Sequence, residues 1–229
     1  MNPILLVLIA FVCGSIPFGL LIGLAKGIDI RKHGSGNIGA SNVGRVLGKR
    51  FFFLCFTLDF LKGFLPTLSA GFVLNAFGSL SQDQAWWWLA VMVASVLGHI
   101  FSPWLKFKGG KGVATALGAM LAVFPSLTIP GVGCFIVWLL ALAAWRYISV
   151  SSMLAGLSLP VFTAAWLWAT TQGPLRDAPI SRAASFSDGL PFLIVSAALA
   201  LLVVWTHRAN IRRLRAGTEL RVGQRVSVP

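Results

Sequence analysis

The sequence predicts an all-α, polytopic membrane protein of about seven transmembrane helices, with its N-terminus outside and its C-terminus in the cytoplasm. Three observations predict it. Apolar runs of about 20 residues recur along the 229-residue chain, each long enough to cross a hydrocarbon core. Hydrophobic residues make up 57% of the chain and charged ones only 11%, where a soluble domain carries roughly a quarter charged. The 19 lysines and arginines gather in alternate connections, as the positive-inside rule requires of a membrane bundle. Residues 1–229 read as one integral-membrane domain.

Asn2 to Ala25 is the first span, interrupted by Gly14-Ser15-Ile16-Pro17-Phe18-Gly19. Proline is tolerated in a membrane helix where neighbours satisfy the freed backbone groups, and small residues let helices approach closely. Met1-Asn2-Pro3-Ile4-Leu5 lacks the cationic n-region of a cleaved signal peptide, so this span is expected to be retained. A cationic loop, Lys26 to Arg50, leads to the second span, Phe51 to Ala76. Inside that span Asp59 and Lys62 share a helix face. An intramembrane charged pair is expensive, and this one reads either as a structural clip or as part of a working site.

Gly78 to Gln84 is a short polar turn, and Ala85 to Leu105 the third span. Trp86-Trp87-Trp88 at its start reads as an interfacial aromatic belt, and His99 near its end as a packed, hydrogen-bonded residue that orients the following loop. The fourth segment, Val113 to Val123, is short for a full crossing, and so is tilted into a thin region, continues past Pro125 or is re-entrant. Gly131 to Trp145, Val150 to Ala169 and Leu190 to Thr206 complete the seven. Thr170 to Gly189 is the longest mixed-polar connection, holding Arg176, Asp177, Arg182 and Asp188.

With the N-terminus outside, the inner loops are 26–50, 106–112, 146–149 and 207–229, and they carry sixteen of the nineteen basic residues. The outer connections hold Arg176 and Arg182 alone, and Lys62 lies within a span. The net charge of +13 therefore marks topology and anion ligands rather than a nucleic-acid face, because the cations flank apolar runs. Cys13, Cys55 and Cys134 all lie inside apolar runs, which argues against a disulfide framework or a zinc site.

Three polar clusters share the inner face. Gly34-Ser35-Gly36-Asn37-Ile38-Gly39-Ala40-Ser41-Asn42-Val43-Gly44-Arg45 holds four glycines, which free the backbone to aim N–H groups at one anion. Ser35, Asn37, Ser41 and Asn42 add short-range donors, and Arg45 a planar fork suited to phosphate. Lys108-Gly109-Gly110-Lys111-Gly112 sets a lysine among glycines at a helix start, with Thr115 one turn on, an arrangement that reads as an anion site. It is not a nucleotide-binding P-loop, whose spacing neither cluster meets. His207 and Asn210 share a face if the last helix continues. The six scattered acids offer no two-metal site and no carboxylate couple, and no histidine is followed by an aspartate five residues on. What remains is an anion-rich reaction held by cations and amides, with no metal and no cofactor expected. A transporter of a phosphorylated solute predicts internal repeats and bases near mid-bilayer; the sequence shows no internal repeat, and apart from Lys62 its basic residues gather at one face.

Together the clusters resemble the bacterial membrane acyl-phosphate:glycerol-3-phosphate acyltransferase family. The resemblance runs from Gly34 to Asn42 and Arg45, through Phe107-Lys108-Gly109-Gly110-Lys111-Gly112-Val113-Ala114-Thr115, to His207-Arg208, Asn210-Ile211, Arg213-Leu214, Gly217 and Glu219. Asp59, Lys62, Gly63 and the Gly14-Ser15-Ile16-Pro17 element fit it as well. It implies an acyl phosphate donor, attack by the sn-1 hydroxyl of glycerol 3-phosphate, and release of lysophosphatidic acid and phosphate. It implies catalytic roles for Ser35, Arg45, Lys111, His207 and Asn210. Substrate binding would fall to Gly34, Gly36, Asn37, Ser41, Asn42, Lys108, Gly109, Gly110, Gly112 and Thr115, with Glu219 as a brace for the tail. The base is either His207 or a substrate phosphate oxygen. The expected setting is the bacterial cytoplasmic membrane, as a monomer, with the site on the cytoplasmic face.

Overall fold

The computed structural model describes residues 2–78, 80–178 and 185–224, so Arg182 lies outside the described residues. Ten α-helices follow one another without a strand among the described residues. Helix α1 (Pro3–Ser15) starts where Asn2 accepts the Ile4 N–H and Pro3 fills a position that needs no donor. Pro17 then forces Ile16 into an extended conformation, and the span resumes as α2 (Phe18–Leu24). The short amphipathic α3 (Ala40–Leu47) carries Arg45 in its last turn, and α4 (Lys49–Val73) is the second span. Ser81 and Gln84 cap α5 (Gln82–Ile100) reciprocally, and Ser185 and Asp188 do the same for α9 (Phe186–Thr206). Between them lie α6 (Val113–Ala122), α7 (Thr128–Trp145) and α8 (Ile148–Thr171). Helix α10 (Arg208–Arg215) turns off the end of α9 at His207.

Among the described residues, six helical spans are long and apolar enough to cross a membrane, each within a few residues of its predicted limits. The remaining predicted segment, the fourth, is α6, whose ten residues rise only ~15 Å, about half the hydrocarbon thickness. Its small residues explain why it can be short and still packed. Gly63 of α4 lies on the Thr115 carbonyl and Gly118 of α6 on the Phe60 carbonyl, so closely that a Cβ at either would overlap backbone. Helices that touch through glycines are held by close van der Waals contact over little length.

The aromatic belt is two tryptophans rather than three. Trp86 and Trp87 face outward, whereas Trp88 is buried and donates its indole N–H to the Thr67 carbonyl at 2.8 Å. Consecutive residues on a helix point 100° apart, so three in a row cannot share a lipid face.

The basic loops meet at one end of the bundle. The Val222 N–H donates to the Arg146 carbonyl (2.8 Å), Arg221 to the Tyr147 hydroxyl (3.1 Å) and Arg45 to the Leu220 carbonyl (3.2 Å). The tail thereby clasps both the first loop and the turn between α7 and α8.

Candidate active site

A cavity of about 370 Å³ opens at that end and runs into the bundle. Its mouth is polar, set by Ser35, Asn37, Ser41, Arg45, Lys111, His207 and Asn210. Its deeper wall is apolar, formed by residues such as Phe56, Met120, Trp138, Leu159 and Leu199 from five helices. Ile148 and Leu159 both line it and lie eleven residues apart on α8, which places the floor ~16 Å below the mouth.

Each polar group arrives by a different local device. Gly34 and Gly36 adopt left-handed conformations (φ +60° and +69°) that fold the first loop back on itself. Asn42 locks that fold: its amide donates to the Ile30 and His33 carbonyls, and its oxygen accepts the Ser35 N–H at 2.8 Å. Asn42 was expected to offer a donor to an anion. Both its amide hydrogens are instead committed to the loop, where they hold Ser35 at the mouth. Asn37 spends its oxygen on the Gly39 N–H, a local turn ahead of α3.

The lysine–glycine turn also departs from expectation. The Gly109 and Gly110 N–H groups donate to the Ile100 and His99 carbonyls at 2.9 and 3.1 Å, so neither is open to an anion. Lys108 is exposed and outside the cavity wall, and Thr115 is fully buried with its hydroxyl 3.3 Å from His99 Nδ1. The glycines serve packing: a Cβ at Gly109 would overlap the His99 carbonyl, and one at Gly110 the imidazole of His99. Of this cluster only Lys111 and Gly112 line the cavity. Lys111 makes no hydrogen bond or ion pair among the described residues; burial, then the nearby guanidinium groups, lower its pKa to about 8 against a favourable pull from Glu219.

His207 sits where α9 gives way to α10. Its Nδ1 lies 2.8 Å from the Val203 carbonyl, which can only accept, so Nδ1 carries the proton and Nε2 keeps a lone pair. Burial, reinforced by Lys111, lowers its pKa to about 4. One turn on, Asn210 donates to Glu219 at 2.6 Å and leaves its own buried carbonyl oxygen without a partner. Glu219 also accepts from Ser149 (2.7 Å) and from Arg213 (2.7 Å). Burial works against the ionised Glu219, and these three hydrogen bonds overcome it, holding its pKa below the usual carboxylate value. It braces the tail, as its place in the sequence suggests.

Two further features bear on the wall, the first left open by the sequence for Asp59 and the second not read from it. Asp59 and His99 line the cavity from inside the membrane spans. Phe52 and Phe56 line the cavity and begin a stacked ladder on α4 that continues away from it through Phe60 and Phe64, with neighbouring ring centroids 6.2, 6.5 and 5.6 Å apart. Their spacing of four residues was the available signal.

A cationic mouth on an apolar shaft suits a molecule with an anionic head and one hydrocarbon chain. Comparison with known proteins agrees. The family model described as glycerol-3-phosphate acyltransferase matches residues 4–217. The glycerol-3-phosphate acyltransferase of Aquifex aeolicus is 40% identical over 96% of this chain and its own full length, and that of Geotalea daltonii 39% over 95% and 96%. Among solved structures, the crystal structure of PlsY, an integral membrane glycerol 3-phosphate acyltransferase, in its glycerol 3-phosphate form is 39% identical, with a TM-score of 0.77 over 97% of this chain and 96% of that one. The lysophosphatidic acid form of PlsY aligns with a TM-score of 0.74 over 98% and 97%. With a match across nearly its whole length in sequence and in fold, this chain belongs to the glycerol-3-phosphate acyltransferase family.

Proposed function

We propose that the protein transfers the acyl group of an acyl phosphate to the sn-1 hydroxyl of glycerol 3-phosphate, releasing 1-acyl-glycerol 3-phosphate and inorganic phosphate. The observation that carries this reading is a cavity with two unlike ends. Arg45 and Lys111 give its mouth two separate cations, enough to face the two phosphate groups that this reaction brings together. The apolar shaft receives the acyl chain, which needs no soluble carrier groove. Ser35, Ser41 and Asn37 supply further donors around the phosphates, and the unpartnered oxygen of Asn210 accepts from a glycerol hydroxyl.

In the transfer the sn-1 oxygen attacks the acyl carbon, the bond from that carbon to the bridging oxygen breaks, and phosphate departs with the electron pair. The hydroxyl proton needs an acceptor. A histidine with a pKa of about 4 is a weaker base than a phosphate, whose second pKa is near ~6. His207 Nε2 therefore orients the hydroxyl, and the proton ends on the departing phosphate. All of these groups come from one chain, which supports a functional monomer. The clustering of cations at the mouth supports a site on the cytoplasmic side of the bacterial inner membrane, where glycerol 3-phosphate is dissolved.

The test is phosphate release by purified protein in detergent with palmitoyl phosphate and glycerol 3-phosphate, for wild type and Arg45→Ala. Release that requires glycerol 3-phosphate and falls ~100-fold or more in the variant is the expected result. Turnover with acyl-CoA but not acyl phosphate would overturn the donor, and silence with both would overturn the reaction.

A further inference from the structure

Asp59, Lys62, His99 and Thr115, buried on three neighbouring helices, form one connected set that the proposed chemistry does not touch. Lys62 Nζ lies 2.7 Å from Asp59 Oδ1 and donates to the Ile16 carbonyl at 2.8 Å, at the break between α1 and α2. Asp59 Oδ1 lies 3.7 Å from His99 Nδ1, and the Thr115 hydroxyl closes on the same nitrogen at 3.3 Å. Asp59, Lys62, His99 and Thr115 are 2%, 6%, 4% and 0% exposed. Burying a charged pair in this way costs more than leaving a well-packed apolar core, so stability alone is a poor reason for it.

What the set supports is the turn after α5. His99 meets that turn twice, through its carbonyl, which accepts the Gly110 N–H, and through its ring, which lies where a Gly110 side chain would be. The next residue is Lys111. Its ammonium has no protein partner among the described residues, so nothing but its backbone fixes where the charge stands at the mouth. The backbone is in turn fixed by the end of α5 and the imidazole beneath it.

We propose that His99, oriented by Asp59 and Thr115, is a positioning residue that sets the Lys108–Gly112 turn so that Lys111 stands at the polar end of the cavity. The Asp59–Lys62 pair thereby ties the break in the first span, α4, α5 and the start of α6 to one cation. The inference rests on the proposed function and deepens it by assigning Lys111 to the phosphate of glycerol 3-phosphate.

The geometry supplies a paired test. His99→Ala removes the support, Gly110→Ala drives a methyl group into the imidazole, and the double variant lets the new methyl group occupy part of the space the ring has left. In full-length protein, each single variant should raise KM for glycerol 3-phosphate ~10-fold or more and change KM for acyl phosphate less than about threefold. The double variant should recover part of that loss, a non-additive cycle. Asp59→Asn, which keeps shape, should shift the same KM in the same direction by less. In parallel, an amine-reactive reagent with peptide mapping reads the labelling rate of Lys111, which should change severalfold in both single variants. A purely structural role would lower the folded fraction and leave KM and the labelling rate of the folded protein as in wild type; that result overturns the proposal. If wild type transfers no acyl group, the reaction reading fails, and the labelling rate still decides this one.

Discussion

Glu219→Ala should detach the tail from the rest of the protein, and the contacts fix how far. Glu219 accepts three hydrogen bonds, from Ser149, Asn210 and Arg213, at 2.7, 2.6 and 2.7 Å. Truncation leaves the Ser149 hydroxyl and the Asn210 amide buried without this partner, and Arg213 with a third of its side chain exposed. Each of the two orphaned buried groups costs about 1–3 kcal/mol, and the solvated Arg213 adds little, so the docked tail should lose about 2–6 kcal/mol. The spans stay folded, because the bilayer holds them, and the loss appears as local opening of residues 207–224. Trypsin reads it directly, since Arg208, Arg212 and Arg215 are exposed yet protected within α10. At about 1.4 kcal/mol per factor of ten, cleavage should accelerate by between ~30-fold and ~10,000-fold. Acyl transfer should fall with it, because Asn210 and the Leu220 contact of Arg45 move with the tail. Glu219→Gln, which keeps volume but loses the charge, should fall between. The pH dependence follows the same contact. The folded pKa is depressed, so the tail is held fully above the ordinary carboxylate range and loosens as pH falls below it. A Glu219→Ala protein with wild-type cleavage and wild-type activity would refute the reasoning.

Two further outcomes follow from the cavity. Lys111 with a pKa of about 8 should give kcat/KM an alkaline limb near that value, as the ammonium loses its charge; Lys111→Arg should abolish the limb whatever it does to the plateau, and a limb that survives would assign it to another group. Gly156 lines the shaft against Val203, about 12 Å below the mouth by helical rise. Gly156→Leu should displace at least two methylenes of a palmitoyl chain, at ~0.8 kcal/mol each, and so shift preference ~10-fold toward octanoyl phosphate; an unchanged chain-length profile across a series of acyl phosphates would count against the shaft as the acyl site.

The helices and the common end of the basic loops were legible because they follow from local composition. Apolar runs of one membrane thickness and the placement of Lys and Arg need no knowledge of neighbours. Arg45, Lys111, His207 and Asn210 were legible for a related reason: polar groups at the ends of apolar runs stand out against a background only 11% charged. The roles of Gly109, Gly110, Thr115 and Asn42 were not. A glycine-rich turn offers open N–H groups only if no carbonyl lies near, and here the end of α5 supplies two. Asn42 likewise spends its amide on carbonyls nine and twelve residues back. The apolar shaft was hidden for a different reason. Its wall joins α4, α6, α7, α8 and α9, and no spacing along the chain says which faces of five apolar helices turn toward one another.

The position of the cavity answers a problem set by the substrates themselves. Glycerol 3-phosphate is confined to water and a long acyl chain to hydrocarbon, so the bond between them must form at the boundary. A site there needs cations strong enough to draw a dianion in and a wall that water does not wet. These demands conflict, because cations are least stable where hydrocarbon begins. The protein meets the conflict by leaving part of it open. Among the described residues Lys111 is in no ion pair and is largely desolvated, so burial lowers its pKa despite the pull of Glu219, and a bound phosphate would relieve it. His207 resolves the same conflict the other way, by staying neutral. The buried Asp59–Lys62 pair keeps its own charge balanced a few residues away, so that it can support the turn without competing for the anion. The uncompensated charge is thus held at the mouth, on Lys111 and Arg45, where the proposed reaction brings its phosphates.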